Sequence, residues 1–117
     1  MSAQDAVKAA EDAYNAQDLE RVAALFDPDV KVWWDGKPFL EGRDAVLAFE
    51  GNNFASWTDF KIKKTLHVAD GDNLAVEWTC SFTRKSTGKR ETINGAEFWK
   101  LKGGRLIEWR AFAVSGD

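Results

Sequence analysis

From Trp57 to its carboxyl end the chain places apolar side chains at every second position, whereas before that point they mostly recur every three or four. A period of two belongs to half-buried strands and a period near 3.6 to amphipathic helices. A helical first part followed by a strand-rich second part is the order of an α+β domain. Ser2, with Asp5 three positions on, resembles a capping box, and Val7, Ala10 and Tyr14 then recur at helical spacing, so a first helix is predicted over Ala3–Ala16. Asp18 can cap a second helix whose Leu19, Val22, Ala23 and Phe26 form one apolar stripe, ended by Pro28. Val30, Val32 and Trp34 alternate with Lys31 and Trp33 as a short strand broken by Gly36 and Pro38. Arg43 to Glu50 reads as a third short helix that stops at Gly51-Asn52-Asn53.

Turn signals at Asp70-Gly71-Asp72-Asn73, Ser86-Thr87-Gly88-Lys89 and Lys102-Gly103-Gly104 cut the second part into four antiparallel strands. A two-residue loop at Gly103-Gly104 sets Glu97 opposite Arg110 and Phe98 opposite Trp109. One face of that hairpin then carries Asn94, Ala96, Phe98, Ile107, Trp109 and Ala111. The preceding strand offers Val76, Trp78, Cys80 and Phe82, and bringing both sets to one side takes an odd-length loop or a bulge near Gly88. The opposite face is mixed, but Ile93, Trp99 and Phe112 are too apolar for a fully wet surface.

Six Trp and eight Phe against one Tyr are a heavy load for 117 residues. Such rings fill cores, line pockets or form interfaces. With one cysteine and one histidine the chain excludes a disulfide framework or a zinc knot within a monomer, and no metal or other cofactor is expected. A net charge of -3 argues against a nucleic-acid partner. No apolar run is long enough to span a membrane, and residues 1–5 lack the charged and apolar regions of a signal peptide, so the expectation is a single cytoplasmic domain over residues 1–117 with no membrane partner.

The run Ala10-Glu-Asp-Ala-Tyr-Asn-Ala-Gln-Asp-Leu-Glu-Arg-Val-Ala-Ala-Leu-Phe26, then Asp27-Pro-Asp-Val30 and Leu40-Glu-Gly-Arg-Asp-Ala-Val46, resembles the opening of the nuclear transport factor 2-like superfamily, in particular its SnoaL-like members. Phe98-Trp-Lys-Leu ahead of Gly104-Arg-Leu-Ile-Glu-Trp-Arg-Ala-Phe112 is similar to the end of the same family. The resemblance implies a cone: a curved mixed or antiparallel sheet wrapped around three N-terminal helices, with a pocket at its open end. It also implies homodimers through the outer sheet face, which here would use Ile93, Trp99 and Phe112. Isomerases, cyclases, epoxide hydrolases and dehydratases share the scaffold, so the fold alone does not choose a chemistry. Positions that carry the steroid-isomerase machinery in relatives fall at Ala10, Ala96 and Trp34, which argues against that activity because alanine offers no donor to an enolate. Arg110 between Glu97 and Glu108 has the composition of the epoxide-hydrolase centre, but strand parity turns it outward.

Asp35 follows the Trp33-Trp34 pair, where relatives often place an acid or base, and it is the first choice of base; Asp35-Gly36 is equally a turn pair. His67 is a proton shuttle if a bulge turns it inward, whereas a regular strand turns Lys64 inward instead. Tyr14 and Asn94 are candidates to orient a ligand, and Trp34, Trp78, Phe82, Phe98 and Trp109 to wall it. Cys80 reads as a small core residue. The reading is cofactor-free acid/base chemistry on a small, largely apolar organic molecule, with a non-catalytic binder or dimeric interaction module as the alternative.

Overall fold

The computed structural model describes residues 2–116. Helix α1 spans Ala3–Ala16, as the periodicity predicts, and Ser2 and Asp5 close a reciprocal capping box at its start. Asp18 caps α2, Leu19–Ala23, by accepting from the Glu20 and Arg21 amides. This helix ends earlier than the stripe suggests, because Phe26 already belongs to strand β1, Phe26–Trp34, where it pairs in parallel with Leu106. The Asp35-Gly36 turn leads into β2, Lys37–Glu41.

Helix α3 runs through the expected stop, from Arg43 to Ser56. Tertiary contacts override the weak local propensity there. Asn53 donates to the Glu50 carboxyl (3.0 Å), and Phe54 meets the Tyr14 ring edge-on with centroids 6.0 Å apart. The long strands β3 (Trp57–Asp70), β4 (Asn73–Arg84), β5 (Arg90–Lys102) and β6 (Arg105–Gly116) then follow as successive hairpins. The sheet order is β2-β1-β6-β5-β4-β3, antiparallel except for β1 against β6. The expected α+β class and curved mixed sheet are both present, with α1 lying on β3 and α3 on β1 inside the curve. Among the described residues no helix is long and apolar enough to cross a membrane.

Register decides which residues face that interior. The β4–β5 ladder runs unbroken from Asn73↔Lys100 to Thr83↔Arg90, so no bulge near Gly88 corrects the parity. Trp78 therefore opposes Gly95, and Cys80 opposes Ile93. The Gly103-Gly104 turn has the positive φ values of a two-residue hairpin loop (58° and 81°), and Lys102↔Arg105 and Leu101↔Leu106 pair as expected. Beyond them the register slips: Lys100 faces Glu108 and Trp99 faces Trp109, leaving Ile107 as the extra residue. A one-residue slip exchanges the faces of a strand. Ile93, Glu97, Trp99 and Leu101 thus turn inward on β5, and Asn94, Ala96 and Phe98 turn outward, the reverse of the sequence reading.

Gly95 is required by this arrangement. A Cβ there would run into the Phe112 carbonyl and lie 2.6 Å from Cε2 and Cζ2 of Trp78, whose ring occupies the space a side chain would take. Gly95→Ala is expected to lower unfolding free energy by about 3 kcal/mol, as overpacking does when backbone must move. A urea midpoint within error of the parent protein would show that the sheet can shift to accept the methyl group.

Candidate active site

Inside the curve the inward strand positions, α1 and α3 enclose a cavity of about 190 Å³. Tyr14 reaches it from α1, Glu50 and Asn53 from α3, Lys64 from β3, Trp78 and Cys80 from β4, Glu97 from β5 and Trp109 from β6. Trp34, Phe49, Trp57, Phe60, Ile62 and Ile93 complete an apolar wall. Burying a charge in such a space is costly unless it is paired.

Glu97 and Lys64 meet that requirement together. Their side chains are 2% and 4% exposed, and Lys64 Nζ donates to Glu97 Oε1 at 2.5 Å. Trp99 Nε1 donates to the same oxygen (3.1 Å) and Trp109 Nε1 to Oε2 (3.0 Å), so each carboxylate oxygen is held. The Lys64 ammonium also stands over the rings of Tyr14 and Trp99, at 5.6 and 5.8 Å from their centroids. Its backbone amide donates to Glu11 Oε2, tying β3 to α1 (2.9 Å).

Glu50 has no such counter-ion in contact. Burial pushes its pKa above the ordinary carboxyl value, against the weaker lowering pulls of the Tyr14 hydroxyl, the Asn53 amide and the Lys64 charge. The Tyr14 hydroxyl lies near this carboxyl but outside hydrogen-bond geometry, and burial, then the charge of Glu50, drives its own pKa well up. Burial likewise raises the Cys80 thiol to about 11, so it is a neutral lining group at pH 7 and not a nucleophile. Two carboxyl groups thus share one cavity in opposite surroundings, one ion-paired and one desolvated.

Several sequence candidates converge on this cavity and several do not. Tyr14, Trp34, Trp78 and Trp109 line it. Phe82 lies beyond the lining, fully buried and stacked under Trp57 with ring centroids 4.2 Å apart. Asn94 and Phe98 are on the outer face, where Asn94 accepts from the Thr79 hydroxyl (2.9 Å) and Phe98 is 51% exposed. Ile93 and Trp99, expected at an outer contact, are inside for the same reason of register; Phe112 is outside as expected.

Asp35 sits outside the cavity, in a left-handed turn (φ 51°), with its carboxylate accepting from the Ala113 amide at 3.2 Å. His67 is the extra residue of a β3 bulge between Leu66 and Val68; it lies outward, bonded to Glu77 (2.8 Å), while Lys64 points in, as the alternation of a regular strand requires. Arg110 is also outward, 3.8 Å over the Trp33 ring and 3.6 Å from Glu108. Glu50 and Glu97 were missed. Glu97 was assigned to the wrong face, and Glu50 sits at a helical position three residues before Asn53 whose only signal was its place among Val46, Leu47 and Phe49. Among the described residues no three His, Cys, Asp or Glu side chains gather into a group that could hold a metal ion.

Removing one member of the buried pair isolates the other charge. Lys64→Met is expected to cost about 3–5 kcal/mol, and Lys64→Met with Glu97→Gln less than the single change. Urea denaturation of the two single variants and the double measures this, and additive losses would mean that the two side chains are not coupled.

The family model described as SnoaL-like domain matches residues 7–109. No curated protein matches the chain. Among solved structures, an NTF2-like protein of unknown function from Burkholderia pseudomallei is 22% identical, with a TM-score of 0.79 over 95% of this chain and 90% of that one. The epoxide hydrolase/cyclase-like enzyme SalBIII, of pyran ring formation in the polyether salinomycin, is 21% identical with a TM-score of 0.83, covering 95% and 89%. An LEH-like epoxide hydrolase of M. tuberculosis is 19% identical with a TM-score of 0.74, covering 93% and 80%. At these identities the likeness is one of fold.

Proposed function

Because the chain belongs to the SnoaL-like domain family and its cavity holds two buried carboxyl groups in opposite surroundings, we propose that it is a cofactor-free enzyme of acid/base type acting on a small, largely apolar organic substrate. The observation that carries this reading is the desolvated Glu50 beside the ion-paired Glu97. Groups whose surroundings push their protonation apart are the usual division between a proton carrier and a fixed charge. Glu50 is the proton carrier. It gives a proton to a departing or ring oxygen of the substrate and takes one back, as in ring opening, cyclisation or dehydration. Both oxygens of Glu97 are occupied, so its part is to fix Lys64, whose ammonium offsets negative charge developing on the substrate oxygen. The Tyr14 hydroxyl, without a partner of its own, is the donor that orients that oxygen. Activities named for SalBIII and the mycobacterial hydrolase, cyclisation and epoxide opening, fall within this class.

Turnover of a panel of epoxides, enones and polyketide-like ketones tests the assignment. Glu50→Gln is expected to lower the rate by about 10²–10⁴ while leaving binding in place, and Asp35→Asn to leave it unchanged. A rate lost in Asp35→Asn and kept in Glu50→Gln would return the chemistry to the outer turn. Binding without turnover by the wild type would instead support a ligand carrier. Stability gives a second reading. Folded Glu50 holds its proton more tightly than the unfolded chain does, so its contribution is complete below the ordinary carboxyl value of 4.5 and is lost as pH rises through its raised folded value. Glu50→Gln should flatten that fall in a series of urea midpoints.

We propose as well that the outer sheet face binds a second copy of this chain. Phe98, Phe112 and Val114 stand exposed together there, at 51%, 41% and 73%, with the two rings edge-on at 6.3 Å. Such a contiguous apolar patch supports an interface. Phe112→Glu is expected to shift the hydrodynamic size toward the monomer, and an unchanged size in both Phe112→Glu and Phe98→Glu would remove the patch from any self-association.

A further inference from the structure

A lone exposed phenylalanine on a protein surface needs no explanation. Phe39 is 44% exposed, but its seat sets it apart. Its ring meets Phe49 of α3 edge-on, with centroids 5.0 Å apart, and lies tilted 6.2 Å from Trp34 of β1. Both of those rings line the cavity, and Phe39 stands outside them. The ladder explains how it comes to be there. Trp33 pairs with Pro38 and Val32 with Leu40, which leaves Phe39 as the extra residue of a bulge in β2. A bulged residue is released from the alternation of its strand, so its side chain can be aimed on its own. β2 is also an edge of the sheet, hydrogen-bonded to β1 alone. A residue without a cross-strand partner, on a strand with one neighbour, can shift without breaking a ladder.

The lining shows where the cavity meets solvent. Tyr14, Lys64, Glu97 and Trp109 are buried, whereas Trp34, Phe49, Asn53 and Trp57 are half-exposed. Trp34 ends β1, and Phe49 and Asn53 lie in the second half of α3, so the Phe39 ring spans from one side of the opening to the other. We propose that Phe39 is the gate of the cavity, a size-selecting residue whose ring must swing off Trp34 and Phe49 before a ring-sized molecule can pass. Two aromatic contacts on an otherwise exposed side chain make a weak latch, closed at rest and opened at small cost. The proposal rests on the proposed active site only in sharing its cavity. It concerns entry and not proton transfer, and it applies equally to an enzyme and to a carrier.

Cys80 makes entry measurable without a known ligand, because it is the only cysteine of the chain and lines the same cavity. Methyl and benzyl methanethiosulfonate report on small and bulky molecules. In each case the Cys80 thiolate attacks the thioalkyl sulfur, a mixed disulfide forms and methanesulfinate leaves. Labelling is followed by mass spectrometry at about pH 9, where the thiol, raised to about 11, is a small and constant fraction thiolate. Each rate is divided by that of a free cysteine peptide, and the benzyl-to-methyl ratio is taken. Labelling through global unfolding returns a ratio of one, whereas a closed gate keeps it well below one. Phe39→Ala is expected to raise the ratio about tenfold, and Phe39→Trp to lower it. Leu19→Ala, which truncates a comparably exposed side chain (39%) on α2, should leave it unchanged. Cys80 also borders a groove between β3 and β4, with Lys61 and Thr79, and entry from there would make the ratio blind to position 39. A wild-type ratio near one, a ratio unmoved in both Phe39 variants, or an equal rise in Leu19→Ala would each overturn the proposal. Labelling needs no turnover, so the failure of Glu50 as proton carrier would leave these ratios standing, and unmoved ratios would leave the Glu50→Gln rates standing.

Discussion

Lys64 and Glu97 are both charged and both closed off from water, and neither could be buried without the other. Taking either ion out of water costs several kcal/mol after relaxation, which the partner's charge and added hydrogen bonds must offset. The molecule meets that demand from four directions. β3 supplies the ammonium, β5 the carboxylate and one indole donor, and β6 the second indole donor, while Glu11 of α1 holds the Lys64 backbone. The pair therefore joins strands that do not touch as neighbours in the sheet, and β3 and β6, at different places in the order, are tied through one residue of β5. The cavity walled by indoles lies beside this centre, with Lys64 and Glu97 both in its lining.

That centre exists only because of register. Its key is the single extra residue Ile107, which lets the Gly103-Gly104 hairpin close as its glycines require and still brings Trp109 across from Trp99. Without the slip, Trp109 would oppose Phe98, and Glu97 would lose one of its two indole donors. Gly95 works on the same strand by leaving room for the Trp78 ring, so that the cavity wall is continuous across β4 and β5.

What the sequence made legible divides along the same line. Local signals were readable: the Ser2–Asp5 capping box, the helix at Ala3–Ala16, the hairpin turns and the inward set Val76, Trp78, Cys80 and Phe82 all follow from residues within a few positions of one another. Lys64 was readable too, as the inward residue of a regular strand. The β5 faces were not, because parity there depends on counting through a loop and past a bulge, and one residue of error exchanges Glu97 for Phe98. The odd-length loop or bulge expected near Gly88 falls where the ladder is regular, and the extra residue that does occur, Ile107, leaves no local signal. Asp35 shows the opposite balance. Its turn signal is local, and its left-handed backbone and its bond from the Ala113 amide keep it in the turn.

The two carboxyl groups illustrate how one fold can assign unlike roles to like residues. Glu97 sits where three donors converge, so the negative form is the one the site satisfies. Glu50 meets a single amide donor and an apolar wall, so burial favours the neutral form. Were Lys64 nearer to Glu50 than to Glu97, the assignment would reverse with no change in composition. The aromatic load has the same double meaning. Indole rings supply the low-polarity surroundings that raise the Glu50 pKa, and the N–H groups of Trp99 and Trp109 supply donors to the Glu97 carboxylate. Phenylalanine in those places would build an equally apolar cavity, but without the two indole donors that hold the Glu97 carboxylate. It is the choice of tryptophan over phenylalanine at positions 99 and 109 that lets an apolar interior hold a carboxylate.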